Sequence, residues 1–139
     1  MNAASRRMSS GNEHGTAAVE FALLLPLLVL LLFGIVEFGL ALYRQQVLAT
    51  ASREGARVGI RQTVPRPTAG DIQRVARNVL TQAGVPGAAL VVVNGAGAAS
   101  GTDLSVTVQT PYQFFVLPNT VPGLRGPVIL RSQTVMKHE

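Results

Sequence analysis

The sequence of 139 residues contains no cysteine. This absence excludes a disulfide framework, a thiolate metal site and a cysteine nucleophile. Aromatic residues are also scarce, at 5% of the chain, whereas 47% of the residues are hydrophobic. The hydrophobic residues are concentrated near the amino terminus, so any folded domain that follows is small and is stabilised without covalent cross-links.

Groups of residues that could perform catalysis are missing as well. The two histidines, His14 and His138, lie near opposite ends of the chain with no third metal ligand in view. No serine, histidine and carboxylate can therefore be assembled into a triad. The carboxylates after the apolar run are scattered rather than paired for acid–base work. We accordingly expect no enzyme activity, no metal and no cofactor.

The net charge of +5 comes mostly from arginines on both sides of the apolar run. Flanking arginines suit anionic lipid headgroups, and without interleaved aromatic residues they do not predict a nucleic-acid partner. The stretch NGAGAASG resembles a phosphate-binding loop only superficially, because no Lys-Ser or Lys-Thr pair follows it. A flexible hairpin loop is the better interpretation, and membrane lipid is the expected contact of the charged flanks.

The apolar run itself is long enough to cross a bilayer. Residues 21–36 carry no charge, and the wider run 16–42 would extend roughly 40 Å as a helix. Three interpretations are open: a secretory signal cleaved near Gly39, an uncleaved membrane anchor, or a pilin-type signal. In the third, a polar leader ends at Gly15 and the mature chain begins with the apolar helix, which carries Glu20 near its start. The spacing between Gly15 and Glu20 favours this third interpretation.

The rest of the sequence predicts a small α+β domain. Residues 44–64 continue the first helix as an amphipathic extension that ends before Pro65. A second amphipathic helix follows over 72–83, where apolar residues recur at helical spacing before Gly84. The segments ALVVVNG, DLSVTVQT and PVILRSQTVMK are rich in β-branched residues and predict strands. We predict a long transmembrane or stalk helix and one amphipathic helix on a three-stranded antiparallel sheet.

Two motifs, AAVEFALLLP and ASREGAR, resemble the start of TadE-like proteins, the minor pilins or pseudopilins of the tight-adherence (Flp-type) pilus system. The likeness is specific over residues 15–60 and weaker beyond. It implies a bacterial inner-membrane protein whose leader is removed by a prepilin peptidase on the cytoplasmic side. It also implies partners among other Tad pilins and the inner-membrane assembly machinery, and a role in assembling or priming a surface pilus.

The resemblance assigns roles to several residues. Gly15 and Thr16 would flank the processed bond, and Glu20 would pair with a terminal amine during assembly. Four further residues are marked as candidate interface positions: Glu37, Arg53, Glu54 and Arg57. The implied segments are a leader (1–15), a transmembrane helix (16–43), a stalk (44–64) and a periplasmic domain (65–139).

The topology implied by the family opposes the charge distribution. A single pass with a cytoplasmic amino terminus places four arginines just beyond the helix in the periplasm, against two before it, and the positive-inside rule favours the reverse. We follow the family pattern. A second function stays open, in which an uncleaved, membrane-tethered domain presents its sheet, or the aromatic residues Tyr112, Phe114 and Phe115, to a ligand or surface.

Overall fold

The computed structural model describes residues 11–85, 87, 89–115 and 126–138, with side chains from Gly15 onward. Within this part of the chain the fold is α+β, as predicted. The chain divides after Val36 into two compact units, and helix α1 contributes to both. The elements in chain order are α1 (Gly11–Gly59), α2 (Ala69–Gln82), β1 (Leu90–Asn94), β2 (Asp103–Tyr112) and β3 (Val128–Lys137).

The first part of α1 is an apolar helix with an apolar surface. It continues through Pro26, and its leucine, valine and phenylalanine side chains are largely exposed from Val19 to Val36. Such a surface is unfavourable in water and favourable in hydrocarbon, where a helix satisfies its own backbone groups. The helix is long and apolar enough to cross a membrane, which fits a single-pass anchor.

The second part of α1 buries one face in the folded unit that begins at Glu37. Leu48, Ala51 and Ala56 are fully buried, and Val47 is nearly so. Most residues on this face are small, which permits a close approach. A Cβ added to Gly59 would lie 2.4 Å from Leu104 Cδ2 and only slightly farther from Ile72. Helix α1 ends there, before Pro65, as predicted.

Helix α2 is positioned by its amino-terminal cap. The Thr68 side chain accepts a hydrogen bond from the Asp71 backbone, and the Asp71 carboxylate accepts one from the Thr68 backbone, which forms a capping box. The helix buries Ile72, Ala76 and Leu80 at helical spacing. This apolar face packs against β1 and belongs to the same buried core as β2, so the predicted packing of an amphipathic helix on a sheet is confirmed.

The three strands form one antiparallel sheet in the order β1-β2-β3. The predicted apolar face of the central strand is confirmed, with Leu104, Val106 and Val108 fully buried, although Thr107 on the opposite face is buried as well. The register aligns Val91 with Val108 and Thr110 with Leu130. The opposite face of the sheet carries exposed residues from all three strands, including Leu90, Val92, Ile129, Arg131, Val135 and Lys137.

The segment predicted as a stalk is also part of the core. Ser52 on α1 reaches β3, with its hydroxyl 2.8 Å from Thr134 Oγ1, and the Gln45 amide donates to the Arg131 carbonyl at 2.8 Å. Gly55 lies against Val106 and Ile72. The sequence predicted only the second helix on the sheet, because the small residues of α1 give a weak apolar signal. The four predicted segment boundaries stay predictions.

Candidate functional site

The residues predicted for processing and pairing lie in the first turns of α1. Gly15 is helical, and a Cβ added there would meet nothing within 4 Å. Thr16 and Glu20 stand four residues apart, so they lie on the same side of the helix. The Glu20 side chain is exposed. A charged group on residue 16 would therefore be within reach of the Glu20 carboxylate or of a neighbouring chain, and the roles of all three residues stay predictions.

Glu37 has a different environment, although it belongs to the same helix. Its side chain is only 5% exposed. The Glu37 carboxylate accepts a hydrogen bond from the backbone N–H of Phe115, and the Glu37 backbone carbonyl accepts one from the Tyr112 hydroxyl at 3.2 Å. These contacts join α1, just after its uncharged run 21–36, to Tyr112 at the end of β2 and to Phe115 beyond it.

Aromatic residues surround this junction. The rings of Tyr112 and Phe114 are in edge-to-face contact with centroids 4.9 Å apart, and the Arg44 guanidinium lies 4.9 Å from the centre of the Tyr112 ring. Tyr112 is buried, whereas Phe115 is 81% exposed. We call residues 112–115 the aromatic end of β2. The sequence marked its aromatics as a candidate patch, but not their contact with Glu37.

A sequence signal for the Glu37 contact did exist. The buried face of α1 passes through Leu48 and Ser52, and counting back in steps of helical periodicity reaches Ala41 and Glu37, which are also buried. The face is thus continuous and includes the carboxylate. Its partner could not be found in this way, because Phe115 is 78 residues away in the chain.

The other candidate interface residues lie on the outer face of α1. Arg57 and Glu54 form an ion pair of 3.3 Å in which both side chains are substantially exposed, and Arg53 is exposed as well. Exposed pairs of this kind contribute little to stability, about 0–1 kcal/mol. These side chains are therefore available for contacts with another molecule, and their interface role stays a prediction.

The histidine near the carboxyl terminus has a structural environment. His138 is buried, and its Nε2 lies 2.9 Å from the Gly95 carbonyl oxygen. A carbonyl can only accept, so Nε2 carries the proton. This bond, together with one from the His138 N–H to the Thr102 carbonyl, fastens the end of β3 to the β1–β2 loop. The side chain of His14 lies outside the described residues, and no group of three or more metal-ligating side chains occurs among those described.

The conformation of the β1–β2 loop depends on glycine. Gly95 has a φ of +84°, and a Cβ at this position would lie 2.3 Å from the Asp103 carbonyl oxygen. The loop leads directly from one strand to the next, without a helix amino terminus that could bind phosphate. The hairpin interpretation of NGAGAASG is therefore confirmed.

Comparison with known proteins identifies α1 as the informative part of the chain. A family model described as TadE-like protein matches residues 15–57. Searches of curated proteins and of solved structures gave no match. The matched region begins at the predicted processing glycine, contains Glu20 and Glu37, and ends in the ASREGAR motif. The predicted resemblance is thus confirmed over residues 15–57, where this chain is similar to TadE-like proteins.

Proposed function

We propose that this protein is a minor pilin or pseudopilin needed to assemble or prime a pilus of the Tad (Flp) type. One observation carries the proposal: the TadE-like match begins at Gly15, the residue that ends the polar leader, and continues through an apolar helix with an exposed surface. The role is structural, and its partners are a prepilin peptidase, other Tad pilins and the inner-membrane assembly machinery.

Processing would convert the membrane anchor into an assembly element. Gly15 lies inside a helix, and glycine lowers helix stability by roughly 1 kcal/mol relative to alanine. It therefore favours the local unwinding that a peptidase needs to reach the Gly15–Thr16 bond. Cleavage frees an ammonium group on Thr16, at the start of a helix whose leucines face outward. The same apolar surface that contacts lipid would then contact the helices of neighbouring subunits.

Glu20 would select the register of that packing. Among apolar helices an unpaired carboxylate is costly, and an ammonium group within contact distance compensates it. The partner would be the amine of a neighbouring subunit, with the Thr16 amine of the same chain as the rival geometry. Either pairing explains why a charged residue stands four positions after the new amino terminus.

The decisive genetic experiment is deletion of the gene, followed by imaging of fibres and an adhesion assay on the same cells. Loss of fibres, restored by the wild-type gene, supports the assembly role. Fibres of normal number and length in the deletion strain would contradict it. The uncleaved binding module is the second candidate, and intact fibres with lost adhesion would support that function instead.

The open face of the sheet favours this second candidate. Large apolar side chains are exposed there: Leu90, Val92, Ile129 and Val135. Gln109 on the central strand pairs with Leu90 on one side and with Arg131 on the other. Apolar and charged residues therefore lie side by side on this face. Such a surface could contact a ligand without removal of the leader. Replacement of Ile129 and Val135 by serine should then reduce adhesion and leave fibres unchanged.

A further inference from the structure

The aromatic end of β2 exposes a large apolar side chain in an unusual place. Phe115 is 81% exposed, yet its backbone N–H is bonded to the Glu37 carboxylate. The ring is thus exposed, while its backbone is bonded to α1. Single exposed apolar side chains are common on protein surfaces, so the meaning of this one depends on what lies beside it.

The contact with Glu37 sets where this ring lies along the apolar helix. Glu37 directly follows the uncharged run 21–36. The next turns of α1 remain apolar on their outer side, with more than half of the surface exposed at Phe38, Leu40, Leu42 and Tyr43. Phe115 is therefore joined to α1 within its last apolar turns.

A cation over the neighbouring Tyr112 ring agrees with a lipid environment. The Arg44 guanidinium lies over the Tyr112 ring. Arg44 is two residues beyond the end of the wider apolar run 16–42. Aromatic rings and arginine are typical of the zone between hydrocarbon and headgroups, because the rings are amphipathic and the cation binds phosphate. The Glu37 carboxylate already accepts a hydrogen bond within the chain, which lowers the penalty of placing it near this zone.

We propose that the aromatic end of β2 is a second membrane contact, in which Phe115 inserts into the interface of the bilayer that α1 spans. Glu37 is the positioning residue, because its carboxylate holds the Phe115 backbone at the level of the last apolar turns. The partner is the lipid surface itself. This inference rests on the proposed membrane span of α1 and goes beyond the pilin role, since it applies before any subunit leaves the bilayer.

The absence of tryptophan from the chain permits a direct test. The full chain carrying Phe115→Trp is reconstituted in vesicles of anionic phospholipid whose acyl chains are brominated either near the headgroup or near the bilayer centre. Bromine quenches indole emission only at short range. The first control variant is Leu31→Trp, inside the apolar run. The second is Val135→Trp. Val135 pairs with Ser105, which lies seven residues before Tyr112 on β2, so Val135 is about 23 Å from Tyr112 along the strand.

Three outcomes distinguish the proposals. If the inference is right, the Phe115→Trp variant loses most of its emission with shallow bromines, Leu31→Trp loses it with deep bromines, and Val135→Trp keeps its emission. If Leu31→Trp is quenched but Phe115→Trp behaves like Val135→Trp, the second membrane contact is overturned while the span survives. If Leu31→Trp is not quenched, the span and the inference both fail.

The role of Glu37 is tested in the Phe115→Trp chain. Glu37→Gln keeps an oxygen that can accept the backbone N–H, whereas Glu37→Leu removes the acceptor. Shallow quenching should persist in the glutamine variant and fall toward the Val135→Trp level in the leucine variant, with unchanged circular dichroism in both. Equal quenching in the two variants would show that the Glu37 acceptor does not position Phe115. A leucine variant that loses its strand signal would overturn a role limited to positioning, because Glu37 would then be needed for folding.

Discussion

At the scale of single residues, the two glutamates of α1 illustrate how position determines what a carboxylate does. Glu20 and Glu37 are 17 residues apart, or about 25 Å along the helix. Glu20 is exposed near the predicted new amino terminus, whereas Glu37 is buried against the aromatic end of β2. In the proposed pairing, Glu20 and not Glu37 would meet an ammonium group on another helix.

We therefore expect different consequences from the same substitution. Glu20→Gln removes the charge that compensates the amine, so it should abolish fibres while processing and membrane insertion stay nearly normal. Glu37→Gln keeps an oxygen that accepts the Phe115 N–H, so its defect should be milder. Immunoblotting of membranes and counting of fibres measure both. Equal defects, or normal fibres from Glu20→Gln, would remove the pairing mechanism.

Ser52 is the polar residue that joins α1 to β3. It is fully buried, and its hydroxyl lies 3.0 Å from the Ala49 carbonyl, 2.8 Å from the Thr134 hydroxyl and 3.3 Å from that of Ser132. The Ser52 hydroxyl donates its one proton to the Ala49 carbonyl. Its oxygen can then accept hydrogen bonds from the Ser132 and Thr134 hydroxyls. One hydroxyl can thus satisfy three groups at the helix–sheet contact.

Ser52→Ala should lower the free energy of unfolding by about 1–3 kcal/mol, because the buried hydroxyl is removed and the half-buried hydroxyls of Ser132 and Thr134 lose their partner. Urea unfolding of the full chain in detergent, followed by the strand signal in circular dichroism, measures the change. Thr50→Ala is the matched control, since the Thr50 hydroxyl is exposed and bonds only to the Gln46 carbonyl within the helix. Its effect should stay within about 0.5 kcal/mol. Equal losses would contradict the buried network.

At the scale of elements, α2 depends on its cap. The pKa of the Asp71 carboxyl is held below its ordinary value of 3.8, chiefly because the Thr68 hydroxyl and backbone N–H donate to it, with a smaller contribution from Arg74. The hydroxyl oxygen lies 2.7 Å from Asp71 Oδ2. Since the folded state favours the ionised form, the stabilisation is complete well above pH 3.8 and is lost as the pH falls through the lower pKa of the folded state.

Asp71→Asn should therefore destabilise the protein at neutral pH and have less effect as the pH falls below 3.8. Urea unfolding at a series of pH values measures the difference in free energy of unfolding between the wild-type protein and the Asp71→Asn variant. Asp103→Asn, at the exposed first position of β2, controls for the loss of one carboxylate. If Asp71→Asn lowers the free energy of unfolding by the same amount at every pH, the charge of the Asp71 carboxylate does not stabilise the helix.

The elements differ in how much of them the sequence could predict. The central strand was recognisable because Leu104, Val106 and Val108 alternate with polar residues, and the structure has it as Asp103–Tyr112. The predicted start of α2 at residue 72 came three positions late, since its first turn is polar and its signal is the capping box from Thr68 to Asp71.

The part of α1 that packs on the sheet was harder to predict. Its contact face consists largely of alanine, serine and glycine, which carry little hydropathy but allow close packing. The bond between Glu37 and Phe115 was out of reach altogether, because it depends on how the end of β2 meets a helix far away in the chain. Periodicity gives the face of an element, but not its long-range partner.

At the scale of the whole molecule, topology is the first test. If the amino terminus is cytoplasmic, the residues from about Arg44 onward lie in the periplasm, against the arginine count. An alkaline phosphatase fusion after Gly84 should then be active, and a fusion after Glu13, before the apolar run, should be inactive. The reverse pattern of activities would overturn the orientation.

Processing after Gly15 is the central claim for the molecule as a pilin. It connects the family match, the exposed apolar helix and the position of Glu20 in one mechanism. Neither a secretory signal cleaved near Gly39 nor an uncleaved anchor yields a free amine on Thr16, and the pairing proposed for Glu20 requires that amine.

The mass of the mature protein, isolated from cells that make pili, tests this claim most directly. The account predicts a chain that begins at Thr16, and an unprocessed chain when Gly15→Val is expressed in the same cells. A mature protein that retains residues 1–15, begins after Gly39, or is processed equally in the Gly15→Val variant would contradict it.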